Sequence, residues 1–360
     1  MRYRFLMIVL MMVMAAATRV SADVYVSNAN ASITVYATNA TGNAVPVRTI
    51  AGAATNLNSP EGITVDTVNN ELYVADFFGQ AVRVYALNAN GNAAPVRELI
   101  NGPNSNIGQP RMVAVDTVSN EIYVATIHNE IIVFPRTASG DAVPIRTISG
   151  AATLIKNPIS ISLDMANDEL LVDSYDVGGP SVPGILVFNR TDSGNVAPKR
   201  LISGGNTQIG TYTNYVRVDA VNNEIFSQGD DGLGVVVFSR TASGNIAPLR
   251  NLTGASTGLL TAGGLLPDLA NNTLIVADTS GNSLRVYSRT ATGNVAPLLT
   301  VSGPATGLLS PSGIDIDSTG GFIVSAAAQT VPAMNKWGLI LFVLLAGLGA
   351  AYHVRRRRAR

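Results

Sequence analysis

The chain has 360 residues, 47% hydrophobic and 13% charged, with no cysteine, so disulfides, thiolate metal sites and cysteine nucleophiles are excluded. Its formal net charge of zero is unevenly spread, because nine of the 24 basic residues lie in the two ends and leave 15 basic against 24 acidic in the middle. A folded part of that sign does not suit nucleic acid or anionic lipid, which attract clustered Lys and Arg.

Residues 1–22 open with Arg2 and Arg4, continue through an apolar run and reach Val20, Ser21 and Ala22, the small residues that a signal peptidase requires. This predicts a secretory signal peptide cut after Ala22; an uncleaved anchor helix is the alternative, and either one exports the repeat region.

From residue 23 to 325 one unit recurs. Its most regular mark is Gly-Asn, once Gly-Asp, followed by a proline at Pro46, Pro95, Pro144, Pro198, Pro248 and Pro297, in steps of 49, 49, 54, 50 and 49 residues. A fixed period of this size made of strands and turns predicts propeller blades. Each copy offers four short β-branched or alternating segments, which in one repeat are 62–66 (GITVD), 72–75 (LYVA), 82–85 (VRVY) and 96–100 (VRELI). Asn69-Asn70, echoed at Asn222-Asn223 and Asn271-Asn272, falls where a tight hairpin needs a left-handed residue.

The first, third and fourth segments occur six times and the second seven times, the extra copy being either 24–27 (VYVS) or 322–325 (FIVS). The expectation is an all-β, six-bladed propeller over residues 23–330, its last blade closed by strands from both ends; seven blades also fit the count.

The phrases 60–66 (PEGITVD) and 72–76 (LYVAD) resemble those of NHL-type six-bladed propellers, and at the level of fold also those of lactonase-like propellers. The resemblance covers residues 23–325 and specifies a fold that hosts enzymes and binders alike.

Asp66, Asp116, Asp164, Asp219, Asp268 and Asp317 recur in every blade, which marks them as turn-stabilising acceptors rather than one metal site. Function in a repeated fold is expected where the copies differ. Five residues before each aspartate the copies read Glu61, Arg111, Ile159, Asn214, Gly263 and Ser312. Glu61, Arg111 and Asn214 are therefore candidate ligand-binding residues.

The resemblance to lactonase-like propellers implies a central divalent cation, calcium by its oxygen ligands, for which Glu61 and Asn214 are the candidates. Arg111 opposes a cation there, and a Glu61–Arg111 ion pair between neighbouring blades is the simpler reading. The 54-residue step reflects an insertion at 176–184 (DVGGPSVPG), expected on the same face, which adds Asp176 to the candidates.

His128 is the only histidine before the C-terminal stretch and reads as a loop residue, so no Ser-His-Asp relay or histidine zinc site can be assembled. The acid pairs Asp230-Asp231 and Asp168-Glu169 read as solvated turns. Trp337 is the only tryptophan, which removes the stacking residue that quinone-cofactor dehydrogenases require.

Residues 337–354 form an uncharged stretch followed by Arg355, Arg356, Arg357 and Arg358, which predicts a transmembrane helix with its C-terminus inside. Val331 and Pro332 ahead of that span, with Trp337 and Gly338 opening it, resemble the IPTL-CTERM sorting signal of Gram-negative bacteria. That resemblance implies an exosortase-like processing enzyme as partner, alongside signal peptidase. The functional expectation is an exported, envelope-associated propeller that binds a protein or glycan without a cofactor. A calcium-assisted, lactonase-like hydrolase is the alternative.

Overall fold

The computed structural model describes residues 23–175, 183–210, 215–229, 232–317 and 320–324. The signal peptide, Asp176, Asn214, Asp230, Asp231, the sorting motif at Val331, Pro332, Trp337 and Gly338, the span 337–354 and Arg355–Arg358 lie outside the described residues. Among the described residues no helix is long and apolar enough to cross a membrane.

Six four-stranded antiparallel sheets form from the repeats. The second blade shows the plan, with Pro60–Asp66 innermost, then Glu71–Asp76, Ala81–Ala86 and Arg97–Ile100 at the outer edge. The innermost strands of the others are Pro110–Asp116, Pro158–Asp164, Val216–Asp219, Ala262–Asp268 and Ile314–Ile316. Each touches the innermost strands of both neighbours, so the ring is closed. The core lies in the seams between blades: Tyr25, Ile33 and Ile50 of the first blade pack on Ile63, Leu72 and Tyr85 of the second.

The first blade settles the strand count. Ile314–Ile316 pairs antiparallel with Asp23–Asn28, with Ser32–Ala37 and Arg48–Ile50 lying further outward. The seventh second-strand segment is therefore the N-terminal one, and the blades number six. The phrase at 322 forms no strand within its described part; Phe322 is instead fully buried beside Val24, Tyr36 and Ile275, and the Ile323 amide donates to the Thr38 carbonyl at 2.8 Å.

Local chemistry explains the repeated residues. Each first hairpin turns on a left-handed residue, Asn70, Asn120, Asp168, Asn223 or Asn272, with φ between 52 and 58°. The recurring aspartates accept the amides of the same turn, as at Asp66 from Asn69 (2.9 Å) and Asp219 from Asn222 (2.9 Å). Asp66, Asp116, Asp164, Asp219 and Asp268 are turn acceptors, as expected, whereas Asp317 Oδ2 accepts the Asp23 amide at 3.1 Å.

The Gly-Asn mark has a role that the sequence did not disclose. Gly42, Gly91, Gly140, Gly194, Gly244 and Gly293, all at positive φ, each form a parallel bridge with the outer strand of the preceding blade. The next side chain closes the clasp: Asn92 accepts the Ala54 amide at 2.7 Å and Asn195 the Ala152 amide at 2.7 Å. The outer edge of every sheet is thereby covered, which removes a template for strand pairing with another chain.

One reading needs correction. Glu169 is not a solvated turn residue but the buried first residue of Glu169–Ser174, paired with Arg200 at 2.7 Å, Lys199 at 3.1 Å and Arg240 of the next blade at 3.2 Å. Aligning it with Glu71, Glu121 and Glu224 shows why: all four hold the arginine that opens the outer strand of their own blade.

Candidate functional site

A β-bulge interrupts pairing at the start of four innermost strands, between Pro60 and Ile63, Pro110 and Met112, Pro158 and Ile161, and Ala262 and Leu265. Bulges free a residue from the ladder and re-aim its side chain. The freed residues include Glu61, Arg111, Ile159 and Gly263, the positions at which the copies diverge. Together with Tyr215 and Ser312 they line a cavity of about 240 Å³ at one mouth of the ring.

Both carboxylate oxygens of Glu61 accept from Arg111 Nη1 at 3.2 Å, an inter-blade ion pair as expected from the sequence. Burial pushes the Glu61 carboxyl above its usual range, an effect that Arg111 only partly offsets. The Arg111 guanidinium stacks over the Phe77 ring at 4.4 Å, and its buried Nε has no hydrogen-bond partner. Phe77 in turn meets Phe78 edge to face with ring centroids 5.0 Å apart, and Phe78 is 61% exposed. The backbone is pinned nearby: Ser27 Oγ donates to the Glu61 carbonyl at 2.5 Å and lies 3.1 Å from Ser312 Oγ.

Below the mouth the axis is crossed by Arg217, whose Nη1 and Nη2 reach the carbonyls of Ile161 and Ile314, in two different blades, at 3.4 Å each. Asp315 accepts the Val65 amide at 2.8 Å; burial raises its carboxyl, with Arg217 opposing. Arg217 thus ties its own blade to two others beneath the cavity.

Glu61, Arg111, Ile159, Gly263 and Ser312 come together as the sequence suggested, while Asn214 and Asp176 fall outside the described residues. Tyr215, Phe77 and Phe78 were missed. Tyr215 had a signal: one position after the divergent residue other copies carry Gly62, Gly264 and Gly313, and only this copy has an aromatic side chain. For a cation at the centre, Glu61 would have to leave Arg111, and no group of three His, Cys, Asp or Glu is placed to hold a metal among the described residues. Of the two candidate calcium ligands only Glu61 is among the described residues, and Arg111 engages it. His128 lies in the loop before Glu130–Pro135, its Nδ1 3.7 Å from Glu130.

No family model matches this chain and no curated protein is significantly similar in sequence. Solved structures do match in fold. A chain in a crystal structure of a nidogen/laminin complex superposes with a TM-score of 0.60 at 14% identity, over 83% of this chain and 99% of the other. The WD40 propeller domain of Doa1 gives 0.50 at 11%, over 79% and 80%. These similarities show the β-propeller fold.

Proposed function

We propose that this six-bladed propeller is a non-enzymatic binding module that takes a protein or glycan ligand at the mouth formed by Glu61, Arg111, Tyr215 and Ser312, with Phe77 and Phe78 on its rim. The observation that carries this reading is the coincidence of the cavity with the residues at which the six copies differ. Its volume of about 240 Å³ is below the range usual for sites that enclose a whole small molecule. A protruding sugar or amino-acid side chain fits it better. Arginine and aromatic residues at one spot are also the composition of binding hot spots. A similar fold crystallised in a protein complex is consistent with such a role.

The finer parts of the reading rest on sequence alone. The phrases at 60–66 and 72–76 support an NHL-type propeller, residues 1–22 support export, and 331–360 support anchoring and sorting at a bacterial envelope through an exosortase-like enzyme. The test is a screen of the full chain on glycan and peptide arrays, repeated with Arg111→Ala and Phe78→Ala. A ligand lost by both variants upholds the site; ligands retained by both overturn it.

A further inference from the structure

The face opposite that mouth carries a second series of contacts between blades. Arg136 of the third blade reaches back to the second: its Nη1 lies 2.7 Å from Glu71 Oε2 and 3.4 Å from Tyr73 Oη, and its Nε 3.2 Å from Asn120 Oδ1. The next seams repeat this. Arg190 pairs with Asp116 and Asp168, Arg240 with Glu169 (3.2 Å) and Asn223 (3.2 Å), and Arg289 with Glu224 (2.5 Å) and Asn272 (2.9 Å). Each latch arginine comes directly after the third strand of its blade and fits its guanidinium between a carboxylate of the preceding blade and the hairpin residue of its own.

Two blades lack the arginine. In the first blade the position is Thr38, and there the chain fills the seam itself: the Gly321 amide donates to Asp268 Oδ2 at 2.8 Å and Phe322 is buried in the same seam. In the second blade the position is Leu87, which no chain segment replaces among the described residues. A cavity of about 420 Å³ remains, lined by Asp23, Tyr25, Arg48, Asn70, Leu87 and Asp317 among others.

Its lining matches the guanidinium site of the next seam residue for residue. Asp23 and Tyr25 stand where Glu71 and Tyr73 do, at the first and third positions of the second strand, and Asp317 directly follows the innermost strand Ile314–Ile316 at the position where Asp66 ends its own. Asn70 is the left-handed hairpin residue, as Asn120 is. Arg48, bonded to Asp23 at 2.6 Å and to Tyr25 Oη at 2.9 Å, corresponds to Arg97. The other seam carries two arginines, Arg97 and Arg136; at this one Arg48 stands for the first, and Leu87 takes the place of the second. Burial, only partly offset by Arg48 and reinforced by Asp317, raises the Asp23 carboxyl, whereas Arg97 and Arg136 hold Glu71 low despite its burial.

We propose that the cavity between the first and second blades is a binding site for a guanidinium group, taken from an arginine side chain of a partner polypeptide that docks as Arg136 does within this chain. A planar fork rather than a point charge is required, because the acceptors are spread over a carboxylate, a phenol oxygen and an amide oxygen. The site lies on the face opposite Glu61 and Arg111 and stands independently of the function proposed for that mouth.

The test is calorimetric titration of the full chain with Nα-acetyl-arginine amide, and with the corresponding lysine and citrulline amides. The expected result is saturable binding of the arginine compound, with the other two at least about tenfold weaker. Leu87→Arg supplies the missing latch from within and should abolish binding, and Asp23→Asn should weaken it at least about tenfold. No saturable binding by the unaltered chain, equal binding of the lysine amide, or undiminished binding in a folded Leu87→Arg or Asp23→Asn protein overturns the proposal.

Discussion

Glu61 and Arg111, one from each of two adjacent blades, face each other across the mouth of the ring with both carboxylate oxygens 3.2 Å from one guanidinium nitrogen. Each is about a quarter exposed, so the pair is neither a loose surface contact nor a sealed one. Removing Arg111 takes away what opposes the burial of Glu61. In Arg111→Ala the Glu61 carboxyl is therefore expected to titrate still further above 4.5 than in the unaltered chain, by carboxyl carbon NMR. In both proteins the folded state holds this proton more tightly than the unfolded chain does. Glu61 by itself thus makes stability fall as pH rises from about 4.5 through its folded value. A lower Glu61 value in the variant contradicts the assignment.

Glu169 has the opposite sign. Arg200, with Lys199, holds its carboxyl at about 2 against the burial that would raise it from 4.5. Its stabilisation is complete above about pH 4.5 and erodes as pH falls towards 2. Glu169→Gln leaves Arg200 and Arg240 without their shared anion, and should cost roughly 3 kcal/mol in urea unfolding at pH 7. The deficit should shrink as pH approaches 2; a deficit independent of pH contradicts it.

The clasp between blades is testable at Asn195, which accepts the Ala152 amide across a seam. Asn195→Ala should lower stability by about 1 kcal/mol, the usual net worth of such a bond. Gly194, at φ 72°, has open space where a Cβ would sit, so Gly194→Ala meets backbone strain alone and should cost about 1–2 kcal/mol. Equal stability in both variants contradicts a structural role for the dipeptide.

Phe322 lies outside any strand yet is fully buried in the seam where the two ends of the chain meet. Phe322→Ala should cost about 3–5 kcal/mol, as for core phenylalanines generally. A loss under about 1 kcal/mol would mean that the segment 320–324 does not close the ring.

Much of the fold was legible in the sequence because a repeated architecture writes its rules six times. The Gly-Asn and proline spacing gave six repeats, with seven blades left open until Ile314–Ile316 was seen to pair with Asp23–Asn28, and the Asn pairs gave the hairpins. The divergent series from Glu61 to Ser312 led to the central mouth. What stayed hidden depends on contacts between blades, which no single repeat contains. Glu169 read as a turn acid because its arginines are 31 and 71 residues away. Leu87 drew no notice because a missing arginine matters only once Arg136, Arg190, Arg240 and Arg289 are seen to fill the same place. Phe77 and Phe78 gain meaning only from the Arg111 that stacks over Phe77, against which Phe78 packs.

The central claim is that ligand recognition resides at the mouth where the blades differ. Hydrogen exchange of the full chain, with and without a ligand taken from the array screen, tests it most directly. The expected result is slowed exchange at residues 59–62, 77–80, 107–111 and 310–313, with the hairpins at 66–70 and 116–120 unchanged. Protection confined to those hairpins, on the opposite face, would contradict the claim.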